Sequence, residues 1–179
     1  MPIAFYRHMS GDEVKAIIAY LRAQPAVKNA VGKSKYTIAL PLGDGPTIGT
    51  VRAPRASDKR AYREYLANIG HCMECHTPHA TRHATARARC MHDQPGAGGQ
   101  TFPGPWGERV SRNLTPHPSG LKDWTDAQVV TTVRKRKDRS GKDYRPPMGF
   151  GFYETISDTD MAALITYLRS RKPRTFAGK

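Results

Sequence analysis

The 179-residue sequence is poor in apolar and acidic residues. Hydrophobic residues make up 38% of the chain, and no stretch approaches the roughly 20 apolar residues of a membrane-spanning helix. Residues 1–10 lack the apolar region of a secretory signal, so an export signal is absent from this sequence. Lys and Arg number 29 against 15 Asp and Glu, a formal net charge of +14. Such a charge favours an acidic partner protein, an anionic membrane surface or nucleic acid.

Cysteine is also scarce, and two of the three cysteines, Cys72 and Cys75, lie in the pentapeptide CMECH. This pentapeptide ends in His76 and has the C-x-x-C-H pattern of covalent haem attachment. Two thiols three positions apart can each form a thioether with one vinyl group of the same haem, and the next imidazole can bind the iron from the proximal side. The pattern therefore predicts one haem c, with its iron, per chain. A buried haem would also supply apolar core that the composition lacks.

Two other uses of these cysteines compete with haem attachment. A thioredoxin-type redox pair usually lies in a βαβ pattern, whereas the residues before Cys72 are typical of a helix. Cys72 and Cys75 could also hold zinc together with Cys90 and His92, which gives the alternative of a zinc-stabilised nucleic-acid-binding module. That alternative leaves His76 unexplained, and the basic and aromatic residues form no recognisable nucleic-acid motif.

Apolar spacing predicts three amphipathic helices, over 57–70, 125–137 and 157–170. The middle helix ends in four consecutive basic residues, which the helix dipole favours at a C-terminus. Gly70 is the expected stop of the first helix, immediately before the haem motif. The candidate N-caps of these helices are Ser57, Thr125 and Ser157. Ser10, with Glu13 three residues later, is the candidate cap of a further amphipathic helix near the N-terminus.

A stretch near the C-terminus repeats the beginning of the chain. MPIAFYRHMSGDEVKAIIAYLRAQ, residues 1–24, aligns without a gap with MGFGFYETISDTDMAALITYLRSR, residues 148–171. The simpler interpretation is two similar amphipathic helices. We favour another interpretation, in which residues 1–24 are the tail of a preceding domain whose own C-x-x-C-H is absent here. The Pro- and Gly-rich residues 25–56 then form a linker.

Met148 is the expected distal iron ligand. It follows Pro146 and Pro147, which are expected to hold the chain extended and to present the thioether sulfur from a stiff loop. His/Met ligation raises the reduction potential of a haem. If Met148 does not bind, an open iron position would favour a peroxidase-like haem enzyme. The competing methionines are Met73, Met91 and Met161.

These residues resemble class I c-type cytochromes. More narrowly, the chain is similar to the cytochrome subunits of bacterial membrane-bound alcohol, aldehyde and related dehydrogenases, which carry several such domains in series. The resemblance covers roughly residues 60–170. The matching stretches are Glu64-Tyr65-Leu66, Gly70-His71-Cys72-Met73-Glu74-Cys75-His76-Thr77-Pro78, Phe102-Pro103-Gly104-Pro105-Trp106-Gly107, Asn113-Leu114-Thr115-Pro116, Trp124-Thr125-Asp126, Pro147-Met148 and Ile165-Thr166-Tyr167-Leu168-Arg169.

The resemblance implies a mostly α cytochrome c fold, in which the helices over 57–69 and 157–170 cross around the haem. It also makes Trp106, Arg112 and Asn113 candidates to line the haem or bond its propionates. The expected organisation is a tail helix of a missing preceding cytochrome domain (1–24), a linker (25–56), a cytochrome c domain (57–172) and a flexible basic tail (173–179).

By the same resemblance the chain is expected to be an electron carrier and not itself an enzyme. One haem c with His76 and Met148 as axial ligands would pass electrons from a dehydrogenase subunit to a quinone or oxidase of the respiratory chain. The expected location is the periplasm or the outer face of the inner membrane. An anionic membrane surface stays a candidate partner, whereas nucleic acid is not expected.

Overall fold

The computed structural model describes residues 3–35, 49–78 and 93–178. In these ranges the regular structure is mostly helical, with one small antiparallel sheet. The helices are α1 Ile3–Tyr6, α2 Gly11–Arg22, α3 Lys59–Ile69, α4 Cys72–Cys75, α5 Asp126–Lys135, α6 Phe150–Tyr153 and α7 Asp158–Arg169. The strands are β1 Thr101–Phe102 and β2 Arg109–Val110.

Predicted caps begin three of the longer helices. Ser10, Thr125 and Ser157 each accept a hydrogen bond from the backbone N–H three residues later, at the starts of α2, α5 and α7. In α2 and α5 the third residue also bonds back to the cap, which completes a capping box. These caps confirm the predicted helix starts.

The start of α3 differs from the prediction by one residue. The side chain of Asp58, not that of Ser57, accepts from the N–H of Ala61 at 3.2 Å. Asp58 therefore satisfies one of the N–H groups that have no intrahelical partner, and Ser57 lies outside the helix. Gly70 is the C-cap as predicted, but the left-handed residue is the next one, His71, with φ 56°.

The core lies where α3, α5 and α7 meet. The most extensive packing between helices is that of α3 against α7, the pair expected to cross. Ala67 of α3 is completely buried there, which lets the two helices approach closely. Full burial of a large apolar side chain contributes about 1.5–3 kcal/mol. The cluster consists of Ala67, Leu121, Val129, Met161, Leu164, Ile165, Tyr167 and Leu168.

The segment expected to be a loop between the haem motif and α5 contains a short hairpin. Strand β1 pairs with β2, with Thr101 opposite Val110 and Phe102 opposite Arg109. Each strand has two residues, which is too short for an alternating pattern to be visible in the sequence.

The C-terminal segment is attached to the domain, whereas the sequence predicts a flexible tail. The N–H of Arg174 donates to Oγ1 of Thr115 at 3.0 Å, and the N–H of Phe176 donates to Oγ of Ser119 at 3.0 Å. The N–H of Ala177 also donates to a backbone carbonyl, that of Ala97, at 3.3 Å. The donors of all three bonds are backbone N–H groups of the C-terminal segment. The segment is therefore held through its backbone, whatever the charge of its side chains.

The N-terminal part contains α1 and α2. No residue of α2 is buried, and residues 25–35 of the expected linker have no regular structure. The linker residues 36–48 lie outside the described part of the chain. Among the helices of the described ranges, none is long and apolar enough to cross a membrane.

Candidate functional site

The two motif cysteines stand at the ends of the single helical turn α4. Both thiols are free; Cys72 is half-buried and Cys75 is exposed. Burial, with a smaller effect of the neighbouring Cys75 charge, raises the pKa of the Cys72 thiol to about 12. Burial and the charge of Glu74 raise the pKa of Cys75 as well. A protonated thiol is a weak nucleophile, so this pair does not resemble an activated redox pair.

His76 is held in one tautomer by the backbone. Its Nδ1 lies 2.6 Å from the carbonyl oxygen of Arg112. A carbonyl only accepts, so Nδ1 carries the proton and Nε2 keeps its lone pair. Burial lowers the pKa of His76, which favours the neutral imidazole. A neutral ring with a free Nε2 and a fixed orientation is the form that binds a metal ion.

A close approach of two backbone segments positions this contact. The N–H of Gly98 donates to the carbonyl of His76 at 2.8 Å, and the N–H of Gly99 donates to that of Ser111 at 2.9 Å. Gly98 has φ +74°, and a Cβ there would lie 2.6 Å from the carbonyl carbon of Arg112. Only glycine fits such a site without displacing the segment after β2 that carries the partner of His76.

Trp106 and Arg112 offer side-chain N–H groups that have no acceptor among the described residues. The indole Nε1 of Trp106 is buried and has no hydrogen-bond partner in that part of the chain. An unsatisfied buried donor costs about 1–3 kcal/mol. The guanidinium of Arg112 is exposed and forms no ion pair with any described residue. Both donors would suit negatively charged propionates, for which the resemblance makes these two residues candidates.

The side chain of Asn113 is fully occupied within the protein. Its Nδ2 donates to Oγ of Ser119 at 3.0 Å and to the carbonyl of Arg174 at 2.7 Å. Its Oδ1 accepts from both the N–H and the hydroxyl of Thr115, each at 2.8 Å. Asn113 is buried, and its hydrogen bonds hold this loop against the C-terminal segment. Both N–H groups of its amide are used in these bonds, so it has no free donor for a propionate.

Met148 lies in a turn, not in the extended stretch that its two prolines predict. The Pro146–Pro147 bond is cis, and the chain bends through these residues. The N–H of Phe150 then donates to the carbonyl of Met148 at 2.9 Å, where α6 begins. The Met148 side chain is 36% exposed, so its sulfur is not committed to the protein core.

Contacts on both sides hold this turn in place. Before the turn, the ring of Tyr144 stacks on that of Phe150, with 6.0 Å between the ring centroids. After the turn, the hydroxyl of Tyr153 donates to the carbonyl of Gly70 at 3.1 Å. Sequence reasoning did not single out Tyr153, because its partner is distant in the chain.

The other described methionines are used in packing. Met161 is 1% exposed in the core, and Met73 packs on the core cluster from inside the motif. Met91 lies outside the described residues, as do Cys90 and His92 of the zinc alternative. In the ranges that the structure describes, no group of three or more His, Cys, Asp and Glu side chains could hold a metal ion.

Together these groups are suited to a covalently attached haem. They comprise two free thiols on one helical turn, a neutral histidine with a free Nε2, unpaired donors at Trp106 and Arg112, and a methionine that is not buried. Such a set would suit a c-type cytochrome, the class that the sequence resembles.

Comparisons with known proteins point to the same class. The chain is 31% identical to the gluconate 2-dehydrogenase cytochrome c subunit of Pantoea cypripedii, over 74% of this chain and 28% of the relative. It is 28% identical to the alcohol dehydrogenase (quinone), cytochrome c subunit of Gluconobacter oxydans (strain 621H), over 68% of this chain and 23% of the relative. It is 22% identical to the fructose dehydrogenase cytochrome subunit of Gluconobacter japonicus, over 100% of this chain and 38% of the relative.

No protein-family model matches the chain. Its homologues are cytochrome subunits of bacterial dehydrogenases, at low identity. The chain spans well under half the length of each of these relatives.

Proposed function

We propose that this chain is a monohaem c-type electron carrier. Cys72 and Cys75 would attach the haem, His76 would be the proximal ligand and Met148 the distal ligand. The observation that carries the proposal is the 2.6 Å contact between Nδ1 of His76 and the Arg112 carbonyl. This contact keeps the proton on Nδ1, so that Nε2, near two free thiols, would be able to bind iron. The names of the relatives, all cytochrome subunits, support the same assignment.

The protein's residues would fix the cofactor and exclude water, while the haem supplies a reversible one-electron change at iron. The Arg112 carbonyl keeps the proton of His76 on Nδ1 and so leaves Nε2 available. The N–H of Trp106 and the guanidinium of Arg112 would hold propionates. Met148 would reach the iron from a turn that is anchored at both ends. No side chain is assigned a catalytic role, because the proposed task is electron transfer.

The relatives also suggest the partners. Each is named as a cytochrome subunit of a dehydrogenase, so we propose a dehydrogenase subunit as donor and a quinone or oxidase as acceptor. The net charge of +14 favours an acidic docking face and an encounter that weakens with salt. An anionic membrane surface is a second partner to which the basic chain could bind electrostatically. This function belongs to the periplasm or the outer face of the inner membrane.

The test is an absorption spectrum of the chain after export and maturation in a haem-attaching host. We expect a sharp reduced α-band that stays with the polypeptide after acid–acetone extraction, and a weak far-red band of methionine ligation in the oxidised form. The reduced form should not bind carbon monoxide. A colourless protein, while a control cytochrome matures, would refute the proposal. Ready carbon monoxide binding would instead favour an open iron position.

A further inference from the structure

An open cavity of about 520 Å³ lies between the N-terminal part of α3 and the C-terminal end of α7. Its volume is within the range of small-molecule sites, about 300–1,000 Å³. The lining residues are polar or charged, and none of them belongs to the set assigned to the haem. They are Arg60, Arg63 and Glu64 of α3 and, in or just after the last turn of α7, Tyr167, Ser170 and Arg171.

The three arginines of this cavity form no ion pair with any described residue. The basic end of α5 is different, because Arg134 pairs there with Asp158 at 2.7 Å. Glu64 lies one helical turn after Arg60, at the spacing of a helical ion pair, yet these two side chains do not pair. The three guanidinium charges and the one carboxylate leave the cavity with a net charge of +2.

The first turn of α3 carries its charges against the helix dipole. Apart from the cap, Asp58, no acidic residue lies at this end, and the helix begins with Lys59 and Arg60. The positive end of a helix dipole favours acidic residues and disfavours basic ones. These two cations therefore do not serve the stability of the helix, whereas an anion bound beside Arg60 would relieve the repulsion.

Arg171 is held in a fixed orientation by its neighbours. Its guanidinium lies 4.0 Å from the centroid of the Tyr167 ring, which is buried. Its Nη atoms donate to the Tyr167 hydroxyl at 3.4 Å and to Oγ of Ser170 at 3.3 Å. The Tyr167 hydroxyl accepts in this contact, and its own proton has no acceptor in the described ranges. Little conformational freedom is left for a ligand to remove.

We propose that this cavity binds the dianionic phosphate of a phosphomonoester. Planar guanidinium groups form paired hydrogen bonds with phosphate oxygens, and the Tyr167 hydroxyl supplies a further donor. A phosphomonoester carries a charge of about −1.5 to −2 at pH 7, which matches the net charge of the cavity, whereas a phosphodiester carries a single charge. The Glu64 carboxylate can accept hydrogen bonds from hydroxyl groups of the alcohol part. A soluble ester and the lipid phosphatidate share this chemistry.

Calorimetric titration of the full, haem-loaded chain tests the proposal, with glycerol 1-phosphate as monoester and dimethyl phosphate as diester. We expect a single ligand per chain and tighter binding of the monoester. Arg60→Gln and Arg63→Gln should each weaken binding by about 10- to 150-fold, because a hydrogen bond to a charged group is lost. Arg60 is exposed, so its variant should keep the Tm and the haem spectrum of the parent.

Arg52→Gln is the matched control. It removes the same charge from an exposed position that does not line the cavity, and it should leave the affinity nearly unchanged because salt screens surface charges. Equal effects of Arg63→Gln and Arg52→Gln would overturn the proposal. Equal affinity for the monoester and the diester would overturn it as well.

Vesicles distinguish the two sources of the phosphate. Sedimentation with phosphatidylcholine vesicles containing phosphatidate, which Arg63→Gln prevents, would assign the lipid; vesicles containing phosphatidylglycerol, a diester, control for net charge. Binding of glycerol 1-phosphate without binding to vesicles would assign a soluble ester. A chain that binds neither overturns the inference and leaves the proposed function standing, whereas a chain that binds the ester but attaches no haem refutes the proposed function alone.

Discussion

The backbone crossing at Gly98 makes a specific prediction about His76. In Gly98→Ala the new Cβ would lie 2.6 Å from both the carbonyl carbon of Arg112 and the carbonyl oxygen of Ser111, on a residue with φ +74°. The left-handed conformation costs a residue with a Cβ about 1–2 kcal/mol. Relief of the overlap requires a backbone shift of about 1–3 kcal/mol. We expect the free energy of unfolding to fall by about 2–5 kcal/mol.

The same shift should change the electronic character of His76. The segment that must move carries the Arg112 carbonyl bound to Nδ1, and a weakened bond makes the imidazole a poorer donor to iron. The reduction potential should then rise. If about 0.5–1.5 kcal/mol of hydrogen bonding is lost from the oxidised state alone, the rise is about 20–65 mV for one electron. Urea unfolding and redox titration of the haem-loaded protein measure the two effects.

Gly141 provides the matched control. It also has positive φ, +83°, but a Cβ there meets nothing within 4 Å. Gly141→Ala therefore introduces the conformational cost without the overlap. If Gly98→Ala destabilises the protein no more than Gly141→Ala and leaves the potential unchanged, the crossing does not position His76.

Three further predictions concern single side chains. Met148→Ala should retain covalent haem but lose the far-red band and lower the potential, whereas Met73→Leu should not; an unchanged potential would refute Met148 as ligand. Trp106→Phe should lower the free energy of unfolding of the haem-loaded protein by about 1.5–3 kcal/mol, because a donor to a charged propionate is lost; equal or greater stability in urea would contradict that role. The hydrogen bond to Asp160 raises the pKa of Tyr62 to about 12. Between pH 10 and 12 the folded state therefore keeps a proton on Tyr62 that the unfolded state releases. The free energy of unfolding should fall as the pH rises through this range. Tyr62→Phe should make that fall shallower; identical pH profiles for the parent and Tyr62→Phe would refute the linkage.

Local features were predictable from the sequence because their partners are close in the chain. Ser10, Thr125 and Ser157 bond to groups three residues away, so the spacing alone identifies them. The error at α3 has the same origin. Ser57 and Asp58 are both good caps, and only the three-dimensional structure shows which side chain meets the N–H of Ala61.

The contacts that hold the site residues in place were not predictable in the same way. His76 was identified from its motif, but its partner is a backbone carbonyl 36 residues further along the chain. Carbonyls are present at every residue, so no side-chain type marks the one that will be used. The only local signal was the glycine cluster at 96–99, which indicates a close backbone approach without naming the segment that approaches. Asn113 is the opposite case. The resemblance made it a candidate to contact the haem, but its side chain makes four hydrogen bonds within the protein.

The repeated helix pair shows what local sequence does not determine. Phe5 and Phe152 occupy equivalent positions in helices of the same length, yet Phe5 is 8% exposed against His71 and Phe152 is 88% exposed. Similar sequences produced the same helices because caps and periodicity act within one or two turns. Burial depends on which surface meets the helix, and that surface comes from elsewhere in the chain or from another domain. An apolar stripe thus indicates which face of a helix can be covered, and the residues that cover it are not encoded in the helix itself.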